Sequence, residues 1–358
     1  MNLKKIIIFG GSFDPIHNGH IKAAKIAAKA IGASKVFFTP TYAKITNNHT
    51  VSKSQHRLKM VQLAIKDYSD FSICRWDINN KNLYTINLLK HFKKRFKNAE
   101  IYLLIGADQV NNFSNWNSCN EISNLVRIIF VQRAGVKLNK QNIKKYQMEC
   151  VGNTDIEISS SQLRYCSSRK YMNSAVVDYI NNNLLYTNER IKQFLSTKRW
   201  QHCLSTAKFA KKLAKTNGYH QPNDAYIAGL FHDVAKEFSK DKLLKYSKRE
   251  GVEKYTSIET LHPIAGYSIM KREYLFSNQD ILQAVYRHTE PVQKNLTLLD
   301  KIIYVADKCE PLRKKAPINN LFNVSEMQAI AIKDVNRAFK LIFTRLKQFY
   351  NSDEFKRS

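Results

Sequence analysis

Residues 5–20 read Lys5-Ile6-Ile7-Ile8-Phe9-Gly10-Gly11-Ser12-Phe13-Asp14-Pro15-Ile16-His17-Asn18-Gly19-His20, and this stretch decides the fold of the first half of the chain. Four consecutive large apolar residues, Ile6 to Phe9, with no polar alternation, predict a strand buried on both faces, the habit of parallel sheets. Gly10 and Gly11 end it, since a residue without Cβ lets the backbone turn tightly and approach a ligand. A helix opens near Gly19, so the turn joins the carboxyl end of a strand to a helix N-terminus, whose unpaired amides attract anions. His17 and His20 lie three residues apart there and present two imidazoles to one face. The turn is neither a Walker loop, which needs Gly-Lys-Ser/Thr, nor the Gly-x-Gly-x-x-Gly of dehydrogenases.

Working outward, Lys35–Phe38, Ile101–Ile105 and Leu125–Val131 are further short apolar runs that predict buried strands. Helix-like stretches at Ile21–Ile31 and Gln55–Asp67 separate them, and the alternation predicts an α/β Rossmann-like domain with a parallel sheet. From about residue 189 the period changes to that of helices, as in Cys203-Leu204, Ala207, Phe209-Ala210 and Leu213-Ala214, and an all-α domain is expected. The Asn-rich segment Asn181–Asn188 is the expected boundary, which gives domains of 1–187 and 188–358. A chain of 358 residues has room for both.

There are 58 Lys and Arg against 29 Asp and Glu, a net charge of +29, spread over both halves. A diffuse positive field favours phosphate-bearing partners, but no nucleic-acid recognition motif accompanies it, and no specific nucleic-acid partner is expected. Cys74, Cys119, Cys150, Cys166, Cys203 and Cys309 are widely spaced, without a Cys-x-x-Cys pair, and read as reduced thiols. The apolar run after Met1 is too short for a signal peptide and no run reaches membrane-spanning length, so no membrane partner and a cytoplasmic location are expected. The sequence leaves a homo-oligomer open.

Gly11-Ser12-Phe13-Asp14-Pro15-Ile16-His17-Asn18-Gly19-His20 resembles the His-x-Gly-His signature of the nucleotidyltransferase superfamily, and Ile158-Ser159-Ser160-Ser161-Gln162-Leu163-Arg164 resembles its Ile-Ser-Ser-Thr-x-x-Arg segment. Residues 1–187 further resemble bacterial nicotinate-nucleotide adenylyltransferases, through Thr39-Pro40, Arg57, Met60, Leu83-Tyr84-Thr85-Ile86, Ile105-Gly106-Ala107-Asp108, Phe113 with Trp116, and Gln132-Arg133. The resemblance implies in-line attack of nicotinate mononucleotide on the α-phosphorus of ATP, with Mg²⁺ bridging the phosphates. It implies that His17, His20, Lys44 and Arg164 stabilise phosphate charge. Gly10, Gly11, Ser12, Phe13, Gly106, Arg133, Ser160 and Ser161 would form the nucleotide site. Asp108 would hold a ribose hydroxyl, and Thr85 with Trp116 would line the pyridine pocket.

In the helical half, His202, His232, His262 and His288 are spaced by 30, 30 and 26 residues; Asp233 follows His232 at once and Asp307 comes 19 residues after His288. Imidazoles with carboxylates suit a transition metal rather than the thiolate set of structural zinc. The order His202…His232-Asp233…Asp307 resembles the HD phosphohydrolases. Within them, Leu230-Phe231-His232-Asp233-Val234-Ala235-Lys236, Leu261-His262-Pro263, Arg287-His288-Thr289 and Ile303–Arg313 resemble the enzymes that split diadenosine tetraphosphate symmetrically to ADP. The resemblance implies one metal on His202, His232, Asp233 and Asp307 and a second on His262 and His288 that shares Asp233. Iron is implied first, with other divalent transition metals fitting the same donors. Asp233 would act at the reaction centre, and Lys236 and Arg313 would reach substrate phosphate. The competing readings are an HD half acting on another nucleotide and a nucleotide- or RNA-binding regulatory module.

Overall fold

The Ile6–Phe9 run forms the centre of β1 (Lys4–Gly11), with Ile7 and Ile8 fully buried, in a computed structural model describing residues 3–42, 52–133, 135–166, 170–253, 257–289, 295–313 and 321–350. It is followed by α1 (Asn18–Ile31), β2 (Lys35–Pro40), α2 (Ser54–Ile65), β3 (Phe71–Ile73) and α3 (Thr85–Arg95). Then come β4 (Ala99–Gly106), α4 (Ala107–Asn112), β5 (Arg127–Arg133), β6 (Glu149–Thr154), α5 (Ser160–Tyr165) and α6 (Ser174–Asn182). All strand pairs are parallel, in the order β3-β2-β1-β4-β5-β6, with Ile8 opposite Phe37 on one side and Leu103 on the other.

Two strands were not legible as apolar runs, and both lie at sheet edges. β3 has three residues, and β6 reads Glu-Cys-Val-Gly-Asn-Thr with most positions exposed or half-buried. An edge strand needs little apolar surface, so it carries no continuous run. The strand expected from Leu125 begins at Arg127 instead. Leu125 is the last residue of a short helix from Cys119, and the Val126 amide closes that helix on the Ile122 carbonyl. Apolar character runs on across the helix end, so periodicity could not locate the junction.

The connections leave β1 toward β2 in one direction and β4 toward β5 in the other. This reversal opens a crevice at the carboxyl ends of β1 and β4, where α/β sheets bind ligands.

A second compact unit begins at Thr187. Its described residues contain no strand. Its helices include α7 (Thr197–Thr216), α8 (Pro222–Phe231), α9 (Ile258–Ser268), α10 (Gln279–Arg287), α11 (Leu298–Cys309) and α12 (Val335–Tyr350). The backbone of α8 lies almost against that of α7, since a Cβ on Gly229 would stand 2.9 Å from the Ala207 Cα. Glycine at 229 therefore permits the approach that brings residue 202 beside residue 232. All six cysteines are free thiols, and no helix among the described residues is long and apolar enough to cross a membrane.

Two candidate active sites

In the first unit, His17 is the extended residue that caps α1, and its backbone N–H donates to His20 Nδ1 at 3.2 Å. The proton of His20 therefore resides on Nε2. The two rings lie 3.7 Å apart and 30° from parallel. The His17 ring also packs so closely on Gly19 that a Cβ there would fall 2.9 Å from His17 Nδ1, which is why the residue between the two histidines is glycine. Burial, then the charge of neighbouring Arg133, holds His20 down at about 3; burial, His20 and Arg133 hold His17 at about 2. Both imidazoles are neutral hydrogen-bonding groups at neutral pH, and Arg133, Arg164 and Arg57 bring positive charge to the turn.

The turn is fastened from several sides. Arg164 Nη1 donates to the Asp14 carbonyl at 2.9 Å and its Nη2 to Ser161 Oγ at 3.1 Å, while Ser160 Oγ donates to the Pro15 carbonyl at 2.9 Å. The Asp14 carboxylate accepts from the Tyr186 hydroxyl at 2.8 Å and from the Ser52 amide at 3.1 Å. Arg57, only 1% exposed, donates to the carbonyls of Ser12, Thr41, Tyr42 and Ser52 at 2.6–3.0 Å. Sequence reasoning gave Arg57 and Asp14 no role, because a buried clamp on carbonyls from two loops has no local spacing.

Gly10, Gly11, Ser12 and Phe13 thus share the carboxyl edge of the sheet with Gly106 at the end of β4 and Arg133 at the end of β5; β4 and β5 pair at Gly106 and Val131. Asp108 stands exposed in the first turn of α4 and accepts from the Gln109 side chain at 2.7 Å. Thr85 is the half-buried first residue of α3. Trp116 is half-buried against Phe113, ring centres 5.2 Å apart, on the rim of the apolar core. Lys44 lies outside the described residues. A cavity of about 380 Å³ opens beside His17 between α1 and α2, lined also by Ile16, Ile21, Tyr68 and Met172. Of the predicted residues it contains only His17.

In the second unit α7 carries His202, α9 carries His262 and α11 carries Asp307, while His232 and His288 are the residues that end α8 and α10. His202 Nε2 is 3.2 Å from His232 Nε2, 3.1 Å from Asp307 Oδ1 and 3.7 Å from Asp233 Oδ2. His262 Nε2 is 3.1 Å from both His288 Nε2 and Asp233 Oδ1. Asp233 therefore faces one group with Oδ2 and the other with Oδ1, and all six predicted ligands converge.

The opposite ring nitrogens decide what these contacts are. Nδ1 of His232, His262 and His288 donates to the carbonyls of Gly229, Ile258 and Val285 at 2.7–2.8 Å, and Nδ1 of His202 faces Glu310 Oε1 at 3.2 Å. With the proton fixed on Nδ1, each Nε2 presents a lone pair, and lone pairs about 3 Å apart repel unless a cation lies between them. Donor separations of 3.1–3.7 Å suit ligands that share a cation at about 2.0–2.2 Å. The residues thus fit two divalent metals. Without a metal a proton takes that part: burial opposes it, but Asp233 and then Asp307 carry His232 up to about 10, while burial leaves His288 at about 4.

Lys236 Nζ lies 3.4 Å from His262 Nδ1, and Arg313 donates to the Asp307 carbonyl at 2.7 Å and to its Oδ1 at 3.3 Å. Lys236 sits in a run of turns that follows α8, which ends at Phe231. Glu310 and Arg199, which binds Asp233 Oδ2 at 2.7 Å, were not predicted. Only the spacing of Arg199, three residues before His202 on one helix, gave a signal for it.

A cytidylyltransferase-like family model matches residues 8–237 and an HD-domain model residues 199–312. A Mycoplasma genitalium protein called "Probable nicotinate-nucleotide adenylyltransferase/Ap4A hydrolase" is 36% identical over 337 residues, 94% of this chain and 96% of its own length. A Mycoplasma pneumoniae protein of the same name is 33% identical, covering 94% of this chain and 97% of itself. A Staphylococcus epidermidis "Probable nicotinate-nucleotide adenylyltransferase" is 38% identical over 175 residues, 48% of this chain and 88% of its own. Matched along almost its whole length, the chain belongs to the family that joins a nicotinate-nucleotide adenylyltransferase to an HD-domain Ap4A hydrolase.

Proposed function

We propose that the chain is a bifunctional enzyme, with an adenylyltransferase of NAD synthesis in residues 1–187 and a metal-dependent hydrolase in residues 188–358. In the first reaction a phosphate oxygen of nicotinate mononucleotide attacks the α-phosphorus of Mg²⁺-bound ATP. The bond to the β-phosphate breaks, and deamido-NAD and pyrophosphate leave. No covalent intermediate is needed, so the protein contributes alignment and charge. His17 and His20 offer neutral N–H donors, Lys44, Arg133 and Arg164 offer positive charge, and Ser160 and Ser161 add donors. Gly10, Gly11, Ser12, Phe13 and Gly106 let the backbone approach the nucleotide. Asp108 holds a ribose hydroxyl, and Thr85 with Trp116 contacts the pyridine.

In the second reaction water attacks diadenosine tetraphosphate and one phosphoanhydride bond breaks, leaving two ADP. When bound by His202, His232, Asp233, His262, His288 and Asp307, a pair of divalent metals, iron first among them, supplies Lewis acidity and lowers the pKa of the attacking water. Lys236 and Arg313 hold substrate phosphate. The substrates are soluble nucleotides, and the compartment assigned to both reactions is the cytoplasm, which suits six free thiols.

The observation that carries this reading is the pairing, on one chain, of neutral imidazoles at a sheet's switch point with four tautomer-fixed imidazoles around one bridging carboxylate. Product chromatography of the purified full chain tests it. Deamido-NAD and pyrophosphate should appear from nicotinate mononucleotide and ATP, and ADP from diadenosine tetraphosphate, with metal found by elemental analysis. Absence of the dinucleotide removes the first assignment; inertness of metal-loaded protein toward diadenosine tetraphosphate removes the second.

A further inference from the structure

Arg199 occupies a place at the second site that none of the assigned roles uses. It lies on α7 one turn before His202, and its Nη1 donates to Asp233 Oδ2 at 2.7 Å, the oxygen that also faces His202 and His232. The Arg199 side chain is 30% exposed whereas that of Asp233 is 4% exposed, so the guanidinium reaches from the mouth of the site to its central carboxylate. The start of the helix that carries it is capped. The Arg199 amide donates to Ser196 Oγ, and the Ser196 amide and hydroxyl donate to Glu237, four residues beyond Asp233. One nitrogen meets one carboxylate oxygen, rather than the two-point fork of a saturated arginine–carboxylate pair, and a guanidinium has five N–H donors.

The charges around it point the same way. Arg199, Lys236, Lys308 and Arg313 stand within contact of the cluster, on Asp233, His262, Asp307 and Asp307 respectively. The carboxylates beside the imidazoles are Asp233, Asp307 and Glu310. Four cationic side chains face three carboxylates before any metal charge is counted. Such a site is matched by a ligand bearing several negative charges in a row.

We propose that Arg199 is a phosphate-binding residue of this site and makes it selective for a polyphosphate chain over a single phosphate. The inference rests on the hydrolase reading above. Its test is calorimetric titration of the metal-loaded full chain with inorganic tripolyphosphate and with inorganic phosphate, for the native protein, Arg199→Gln and Arg199→Lys. Metal content, circular dichroism and diadenosine tetraphosphate turnover are measured on each.

Native protein is expected to bind tripolyphosphate more tightly than phosphate. Arg199→Gln should keep its metal and helicity while losing about 10- to 100-fold in tripolyphosphate affinity, with a smaller loss for phosphate, and Arg199→Lys should recover part of it. Tripolyphosphate binding unchanged in a folded, metal-bearing Arg199→Gln overturns the proposal. So does loss of metal from both variants, which makes Arg199 a support of the cluster instead. Arginine-dependent tripolyphosphate binding without turnover of diadenosine tetraphosphate upholds this proposal and removes the substrate assignment. Turnover unaffected by Arg199→Gln does the reverse.

Discussion

Asp233 faces both groups of imidazoles with one carboxylate, Oδ2 to His202 and His232 and Oδ1 to His262 and His288. Against its burial, the charge of His232 holds it well below the usual carboxylate range. Asp233→Asn should therefore empty both positions, with metal content by elemental analysis falling below one per chain and hydrolysis lost by more than 100-fold. Adenylyl transfer, which draws on residues of the other unit, should be unchanged. Glu310 acts at one remove: Glu310→Ala leaves the His202 Nδ1 proton without its acceptor, and metal affinity measured by competition with a chelator should weaken about 10- to 100-fold. These residues were not equally legible in the sequence. The Nδ1 partners of His232, His262 and His288 are carbonyls three or four positions back on the same helix, so local spacing implies them. Glu310 lies 108 residues from His202, and nothing local connects the two.

The element that organises the second unit is the contact of α7 with α8. Gly229→Ala would place a methyl 2.9 Å from the Ala207 Cα, which is backbone and cannot yield, so the helices must part. The expected cost is about 1–3 kcal/mol by chemical denaturation, together with weaker metal binding as His202 moves off His232. A result within 0.5 kcal/mol of native would contradict that account. In the first unit the corresponding element is the β1–α1 turn. His17 and His20 are held at about 2 and about 3, below the ordinary 6.5, so below pH 6.5 the unfolded chain binds protons that the folded turn refuses. Stability is thus complete above pH 6.5 and falls as the pH drops toward 3, by up to about 1.4 kcal/mol per unit for each histidine. Urea unfolding between pH 7 and 5 should show this slope, and His17→Asn with His20→Asn should flatten it. Adenylyl transfer should correspondingly lack an acid limb near pH 6.5. Strand elements were legible where they are buried on both faces, as in β1, and illegible at the edges, as in β6, because only burial writes an apolar run.

At the scale of the whole molecule, the division of contacts after Tyr186 leaves each cluster of proposed site residues within one unit. Tyr186 itself is part of the first site's support, since its hydroxyl donates to Asp14, so a cut before it should damage adenylyl transfer while a cut after it should not. Residues 1–186 alone should make deamido-NAD at near-native rates and residues 187–358 alone should hydrolyse diadenosine tetraphosphate. Dependence of either activity on the missing piece, seen by mixing the two, would show a shared site.

The sequence by itself determined the α/β and all-α halves and the His17/His20 turn, and its resemblance to the HD phosphohydrolases supplied the six cluster residues. Buried strands and paired imidazoles leave local patterns of residue type and spacing. Tertiary structure alone decided that Arg57 clamps two loops together, that Glu310 orients His202, and that Arg199 stands on Asp233. Each of these is a contact between chain segments whose separation follows from packing, such as the close crossing at Gly229, and packing distance has no period in the sequence.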